Sequence, residues 1–154
     1  MICKKQTSFL KKSKSKSKSK LISILIRTKN EDLFLEEVLI AIHNQLNNFF
    51  EIVIVDSGST DNTLSIAKKY KCKIFKIAPK DFTFGKSLNY GIEKCNGDIV
   101  VILSGHCTPV NNKWLDNLVS PIIKGKFSAS FGRQIAREST HIFEKKSYLE
   151  NYPS

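Results

Sequence analysis

Four short polar stretches carry the residue types that can bind or process a polar ligand: Arg27-Thr28-Lys29-Asn30-Glu31, Asp56-Ser57-Gly58-Ser59-Thr60-Asp61, residues 82–91, and Ser104-Gly105-His106-Cys107. Asp56 follows an apolar run, where a carboxylate can accept a hydrogen bond from a base or a ribose hydroxyl. The same carboxylate can instead close a turn on the amides of Gly58 or Ser59. Thr28 and Glu31 have the spacing of a capping box, so a helix cap competes with ligand contact there. Ser59, Thr60 and Asp61 read as helix-capping residues. Residues 82–91 combine glycines, which permit close backbone approach, with Lys86, which either neutralises a phosphate or is a solvated charge. Neither G-x-x-x-x-G-K-[ST] nor G-x-G-x-x-G occurs, which argues against a P-loop or a dinucleotide fingerprint. His106 ends an apolar run and is the histidine placed to ligate a divalent metal or to donate to a phosphate oxygen; a lone histidine is otherwise structural. The cysteines read as core filler, with Cys107 alone near the other polar stretches.

The elements that must position these residues follow from periodicity. β-branched runs at 21–28, 51–56, 73–77, 98–104 and 127–132 read as strands. Between them, Leu35, Val38, Leu39, Ile42 and Leu46 recur at helical spacing as one buried stripe, and further helices are expected over 61–70, 85–94 and 113–124. Pro109 and Pro121 fall where helix starts or turns would place them. This β-α-β-α-β-α-β-α-β order predicts a parallel sheet with covering helices, and ligands of such sheets bind beyond the carboxyl ends of the strands. Three of the polar stretches converge on that rim.

The chain has 154 residues, 41% hydrophobic and 25% charged, which is the composition of one globular domain with a single core. Of the net charge of +11, eight come from the lysines of residues 1–20, which contain no acidic residue. Residues 11–20 read KKSKSKSKSK, without an apolar side chain to offset the entropy of ordering, so residues 1–20 are expected to be a disordered tail. The tail is either a solvated extension or an electrostatic contact to anionic membrane. With no interleaved arginine or aromatic residue, specific nucleic-acid binding is not expected. Four cysteines without a C-x-x-C pair, and no secretory signal, suggest a reducing cytoplasm. No apolar run approaches the roughly 20 residues needed to span a bilayer.

Three blocks, residues 22–31, 54–63 and 97–106, resemble family 2 glycosyltransferases in order and spacing. The resemblance covers roughly residues 21–125, the nucleotide-sugar-binding half of a GT-A fold, which is an α/β, Rossmann-like, open and mostly parallel sheet flanked by helices. Residues 21–154 are accordingly expected to be one GT-A-like domain with an incomplete acceptor part. The resemblance implies that Thr28 and Glu31 lie along the nucleoside, that Asp56 holds the base with Gly58 beside it in the nucleotide-sugar site, and that Lys86 and Asn89 line the donor pocket. It puts Ser104, Gly105 and His106 on the family's metal-binding D-x-D segment.

Both carboxylates of that segment are replaced here, by Ser104 and His106. If a metal is used, imidazole tilts the choice from Mg²⁺ toward Mn²⁺; alternatively His106 and Lys86 stabilise the diphosphate directly. The family's carboxylate base follows the D-x-D segment at a distance, and Asp116, Glu138, Glu144 and Glu150 have no matching context, so the base stays unassigned. The expected activity is inverting transfer of a sugar from a nucleoside diphosphate donor to a glycan or lipid-linked acceptor. The alternatives are a non-catalytic nucleotide-sugar-binding remnant and a basic-tailed module for anionic membrane or nucleic acid.

Overall fold

The computed structural model describes residues 2–4 and 20–137. Its strands are β1 (Ile2–Lys4), β2 (Ile22–Thr28), β3 (Phe50–Asp56), β4 (Lys73–Lys76) and β5 (Ile99–Ser104); its helices are α1 (Asp32–His43), α2 (Thr63–Lys69), α3 (Phe84–Lys94) and α4 (Trp114–Ile123). The sheet order is β1-β5-β2-β3-β4. β5, β2, β3 and β4 are mutually parallel, and β1 runs antiparallel along β5.

The period-two pattern of β2 explains both faces. Ile22, Ile24 and Ile26 pack with Leu35, Val38, Leu39 and Ile42 of α1 and with Leu115, Val119 and Ile122 of α4. Leu25, on the alternate parity, packs with Val53, Val55 and Val100 against Leu88 and Ile92 of α3. A parallel strand covered on both faces must be apolar on both, and Ile22 through Ile26 are all buried. From β2 the chain adds β3 and β4 on one side, then returns to place β5 on the other. That reversal opens a crevice beyond the carboxyl ends of β2 and β5. The register sets Thr28 beside Asp56 and Arg27 beside Ser104 on this rim.

Four expectations are corrected. No strand forms over 127–132; the sheet edge beyond β5, where it would pair, is taken by β1. Instead Gly125 turns the chain at φ +70°, and the amides of Lys126 and Phe127 return to the carbonyl of Pro121. Second, residues 2–4 of the expected disordered tail form that edge strand; residues 5–19 lie outside the described residues, as do residues 138–154, with Glu138, His141, Glu144 and Glu150. Third, the α1 stripe ends at Ile42 and Leu46 is exposed. The buried Gln45 amide breaks the periodicity by donating to the carbonyls of Ala41 (3.0 Å) and Asn111 (2.8 Å) and accepting from the amide of Leu115 (2.9 Å). Fourth, Pro121 sits inside the last turns of α4 rather than at a turn.

At the end of the sheet away from the crevice, Glu51 joins three segments. Its carboxylate accepts from Ser23 Oγ (2.5 Å), Lys73 Nζ (2.6 Å) and the amide of Asn96 (2.6 Å). Burial alone would raise its pKa, but the bonds from Lys73, Ser23 and Asn96 outweigh that and bring it from 4.5 to about 2. A carboxylate depressed in the folded state contributes stability above its unfolded pKa and loses it as pH falls through the folded one. Thermal melts should therefore show the wild type losing on the order of 2 kcal/mol relative to Glu51→Gln as pH drops across that interval. Parallel pH profiles for the two proteins would refute the assignment.

Candidate functional site

The loops leaving β2 and β3 are cross-laced. Asp56 is fully buried, and its carboxylate accepts from the amides of Gly58 and Ser59 (both 3.0 Å), from Thr28 Oγ1 (3.2 Å) and, at short range, from Ser59 Oγ. Ser57 returns both its amide and its hydroxyl to the carbonyl of Thr28. Asn30, in the left-handed region at φ 54°, takes the amide of Thr60 on its side-chain oxygen and gives its own amide to Ser59 Oγ. Asp61 accepts from the amides of Asp32 (3.1 Å) and Thr63 (3.0 Å), so one carboxylate serves the starts of α1 and α2 together. Burial pushes the Asp61 carboxyl upward, but the hydroxyl and amide of Thr63 and the amide of Asp32 hold it below the usual range.

These contacts fix the local structure at several positions. Thr28 and Glu31 form no capping box, because the Thr28 hydroxyl is turned to Asp56 and the Glu31 amide is taken by Thr63 Oγ1 at 2.8 Å. Asp56 closes the turn on Gly58 and Ser59. Gly58 adopts φ +93°, and a Cβ there would meet Pro79 Cγ at 2.7 Å, so its identity follows from the turn.

A cleft of about 160 Å³ opens at the reversal between β2 and β5. Arg27, Thr28, Glu31, Ser57, Ser104 and His106 line it, with Lys29 at the edge and Phe82 and Phe84 as an aromatic wall. Small-molecule pockets begin at roughly 300 Å³, so the described residues make one wall of a site rather than an enclosed pocket. Of the sequence-predicted residues, the cleft brings together Thr28, Glu31, Ser104 and His106. Asp56 and Gly58 lie behind it in the turn, while Lys86 and Asn89 are exposed on α3 and do not line it.

His106 Nδ1 lies 2.9 Å from Glu31 Oε1, where an Nδ1–H donates to the carboxylate, and Ser104 Oγ lies 3.3 Å from Nδ1 and 3.2 Å from Nε2, beside the ring rather than along one nitrogen's lone pair. Gly105 allows this meeting, since a Cβ at 105 would stand 2.9 Å from Glu31 Cγ and 3.2 Å from Thr28 Cγ2. Arg137 holds the segment from the other side, donating to the carbonyl of His106 (3.0 Å) and to Thr108 Oγ1 (2.6 Å) while pairing with Glu37. Burial raises the Cys107 thiol pKa, which disfavours its thiolate.

Sequence reasoning missed Arg27, Ser57 and the two phenylalanines as cleft residues. Arg27 had a signal: it is the one charge in a strand otherwise buried on both faces. Its guanidinium carbon stands 4.8 Å over the Phe84 ring, its Nε is buried without an acceptor, and no carboxylate among the described residues pairs with it. Burial lowers its pKa from 12.5, yet a guanidinium remains a cation in proteins.

Comparison with known proteins gives the geometry its context. The family model described as "Glycosyl transferase family 2" matches residues 23–153. The chain belongs to glycosyl transferase family 2. It is 28% identical over 135 residues to an O-antigen chain rhamnosyltransferase of Salmonella typhimurium, covering 86% of this chain and 43% of that protein. It is 31% identical over 132 residues to the glucosyl-3-phosphoglycerate synthase of Petrotoga mobilis, covering 77% and 41%. The chain thus spans less than half the length of these relatives. In fold it matches S. aureus TarS (residues 1–349), with a TM-score of 0.62 at 23% identity over 75% of this chain and 38% of that one. It also matches the Mycobacterium tuberculosis glucosyl-3-phosphoglycerate synthase, crystallised with Mn²⁺, uridine diphosphate and glucosyl-3-phosphoglycerate (TM-score 0.59, 24% identity, 68% and 40% covered). The GT-A fold is therefore established for this family member.

The Mn²⁺ of that neighbour invites a fit test here. Among the described residues no group of three or more His, Cys, Asp or Glu side chains stands where it could hold a metal ion. Glu31 and His106 are bonded to each other, and Ser104 completes that cluster. Among the described residues this donor set would not hold a divalent cation through protein ligands alone.

The turn role of Asp56 is tested by stability. Asp56→Ala strands two loop amides and two hydroxyls and should lower stability by about 2–4 kcal/mol in denaturant titrations. Ser57→Ala, which keeps the backbone bond to Thr28, should cost under about 1.5 kcal/mol. Equal losses would overturn the view that Asp56 is the anchor of the turn.

Proposed function

We propose that the chain carries the donor-binding half of a glycosyltransferase that moves a hexose from a nucleoside diphosphate to a glycan or lipid-linked acceptor, with inversion at the anomeric carbon. The observation that carries this reading is the cleft at the β2–β5 reversal, walled by the family's first and third polar blocks and backed by the second. The named activities of the relatives, rhamnosyl and glucosyl transfer, support a hexose donor, and the O-antigen enzyme supports a role in polysaccharide synthesis.

In this reading Thr28, Ser57 and the Phe82–Phe84 wall flank the nucleoside, with Asp56 and Gly58 shaping the floor behind them. Arg27 and Lys29 face the diphosphate, where negative charge grows as the glycosidic bond breaks. The acceptor hydroxyl needs a base within hydrogen-bond reach. Asp116 does not serve, since it accepts from Asn47 Nδ2 at 3.1 Å on α4 and does not line the cleft. A donor-binding unit without transfer activity is the second reading, favoured by the single-walled cleft.

Titration calorimetry of UDP, dTDP and GDP into the 154-residue chain, with MnCl₂ present, tests the donor site. One nucleotide should bind with Kd on the order of micromolar. Failure of all three to bind would sink the donor reading.

For location, no helix among the described residues is long and apolar enough to cross a membrane. We place the protein in the cytoplasm, held peripherally at anionic membrane by the lysines of residues 11–20. Replacing all six lysines of that stretch with serine leaves residues 2–4 untouched and removes roughly 1 kcal/mol of surface attraction per lysine. Sedimentation with phosphatidylserine vesicles should fall to the level seen with neutral vesicles; unchanged sedimentation would assign the membrane contact elsewhere or nowhere.

A further inference from the structure

Building on the donor reading, we propose that the chain holds its donor's diphosphate without a divalent cation, the positive charge coming from the Arg27 guanidinium. Two independent sets of contacts lead there. The side chains on the segment where related enzymes would bind metal meet one another: Glu31 Oε1 lies 2.9 Å from His106 Nδ1, and Ser104 Oγ lies within 3.3 Å of both ring nitrogens. An ion at Nε2 would gain one imidazole, with Glu31 holding the other ring nitrogen, and would gain no carboxylate without breaking the Glu31–His106 contact. No third carboxylate, imidazole or thiol stands by to complete the set among the described residues.

Arg27 is the second set. It is in register with Ser104, so its side chain leaves the sheet beside the same segment and lines the same cleft. Its guanidinium carbon lies 4.8 Å over the Phe84 ring, a cation–π contact that uses none of its N–H donors. Its buried Nε has no protein acceptor, and no described carboxylate neutralises its charge. A planar, unneutralised fork of donors matches phosphate oxygens in geometry and sign. Exposed Lys29 adds a second positive charge at the edge of the cleft. A cation built into β2 thus stands where a bound metal would otherwise offset the charge of the leaving diphosphate.

The test is titration of UDP, dTDP and GDP into the full chain, once in EDTA and once in excess MnCl₂. The nucleotide that binds should do so with Kd values within about threefold of each other. Arg27→Gln should weaken binding about 10- to 100-fold in both buffers, with Arg27→Lys intermediate. Affinity that rises about tenfold or more with Mn²⁺ overturns the proposal while leaving the donor reading intact. Binding that is indifferent to Arg27→Gln in a folded variant also overturns it. Absence of binding in either buffer removes the donor reading and this inference with it. Should Arg27→Gln fail to fold, the wild-type comparison between the two buffers decides alone.

Discussion

The buried carboxylate of Asp56 is the constraint on which the rest of the rim depends. It sits at the end of β3 with no exposed surface, and an uncompensated charge there would be costly; two amides and two hydroxyls compensate it. One of those hydroxyls belongs to Thr28, at the end of the neighbouring strand. The turn after β3 therefore cannot move without the end of β2 moving too. Asn30 and Asp61 extend the same lacing to the starts of α1 and α2. The loops that form the cleft are thus rigid where most loops are not, which is what a site that must meet a ligand in one orientation requires.

This lacing changes what the most specific sequence block means. Residues 54–63 are the stretch by which the family is most readily recognised, yet Asp56, Gly58, Ser59, Thr60, Asp61 and Thr63 all serve the backbone. Of that block only Ser57 lines the cleft. A motif can be distinctive because its turn chemistry is demanding: a positive-φ glycine packed on Pro79, a buried carboxylate, and a second carboxylate shared by two helix starts.

The sheet was legible because strands covered on both faces must be apolar throughout, and four of the five expected strands appear near their expected bounds. The fifth was not, because 127–132 has the composition of a strand but no free edge to join. Edge occupancy by residues 2–4 is a long-range fact that local pattern cannot carry. Leu46 failed for a related reason, since a buried amide at Gln45 overrode the apolar spacing through bonds to residues 111 and 115. At the cleft, Thr28, Glu31, Ser104 and His106 were legible from their place at strand ends. Lys86 was read from its glycine-flanked stretch and Asn89 from resemblance; both are exposed on α3, and neither lines the cleft.

The third polar block makes physical sense only together with Arg27. Ser104 and His106 bring no carboxylate to the rim; an arginine on the adjacent strand, with no carboxylate partner among the described residues, adds positive charge to it. If His106 held a metal, an unneutralised guanidinium on the next strand would repel that ion. If Arg27 faces the diphosphate, carboxylates at 104 and 106 would instead draw the guanidinium away from it. Ser104 and His106 put no carboxylate on that segment and so avoid the second conflict. The residue types at 104 and 106 and the charge at 27 are then one solution to a single electrostatic problem, set by the register that lays β2 against β5.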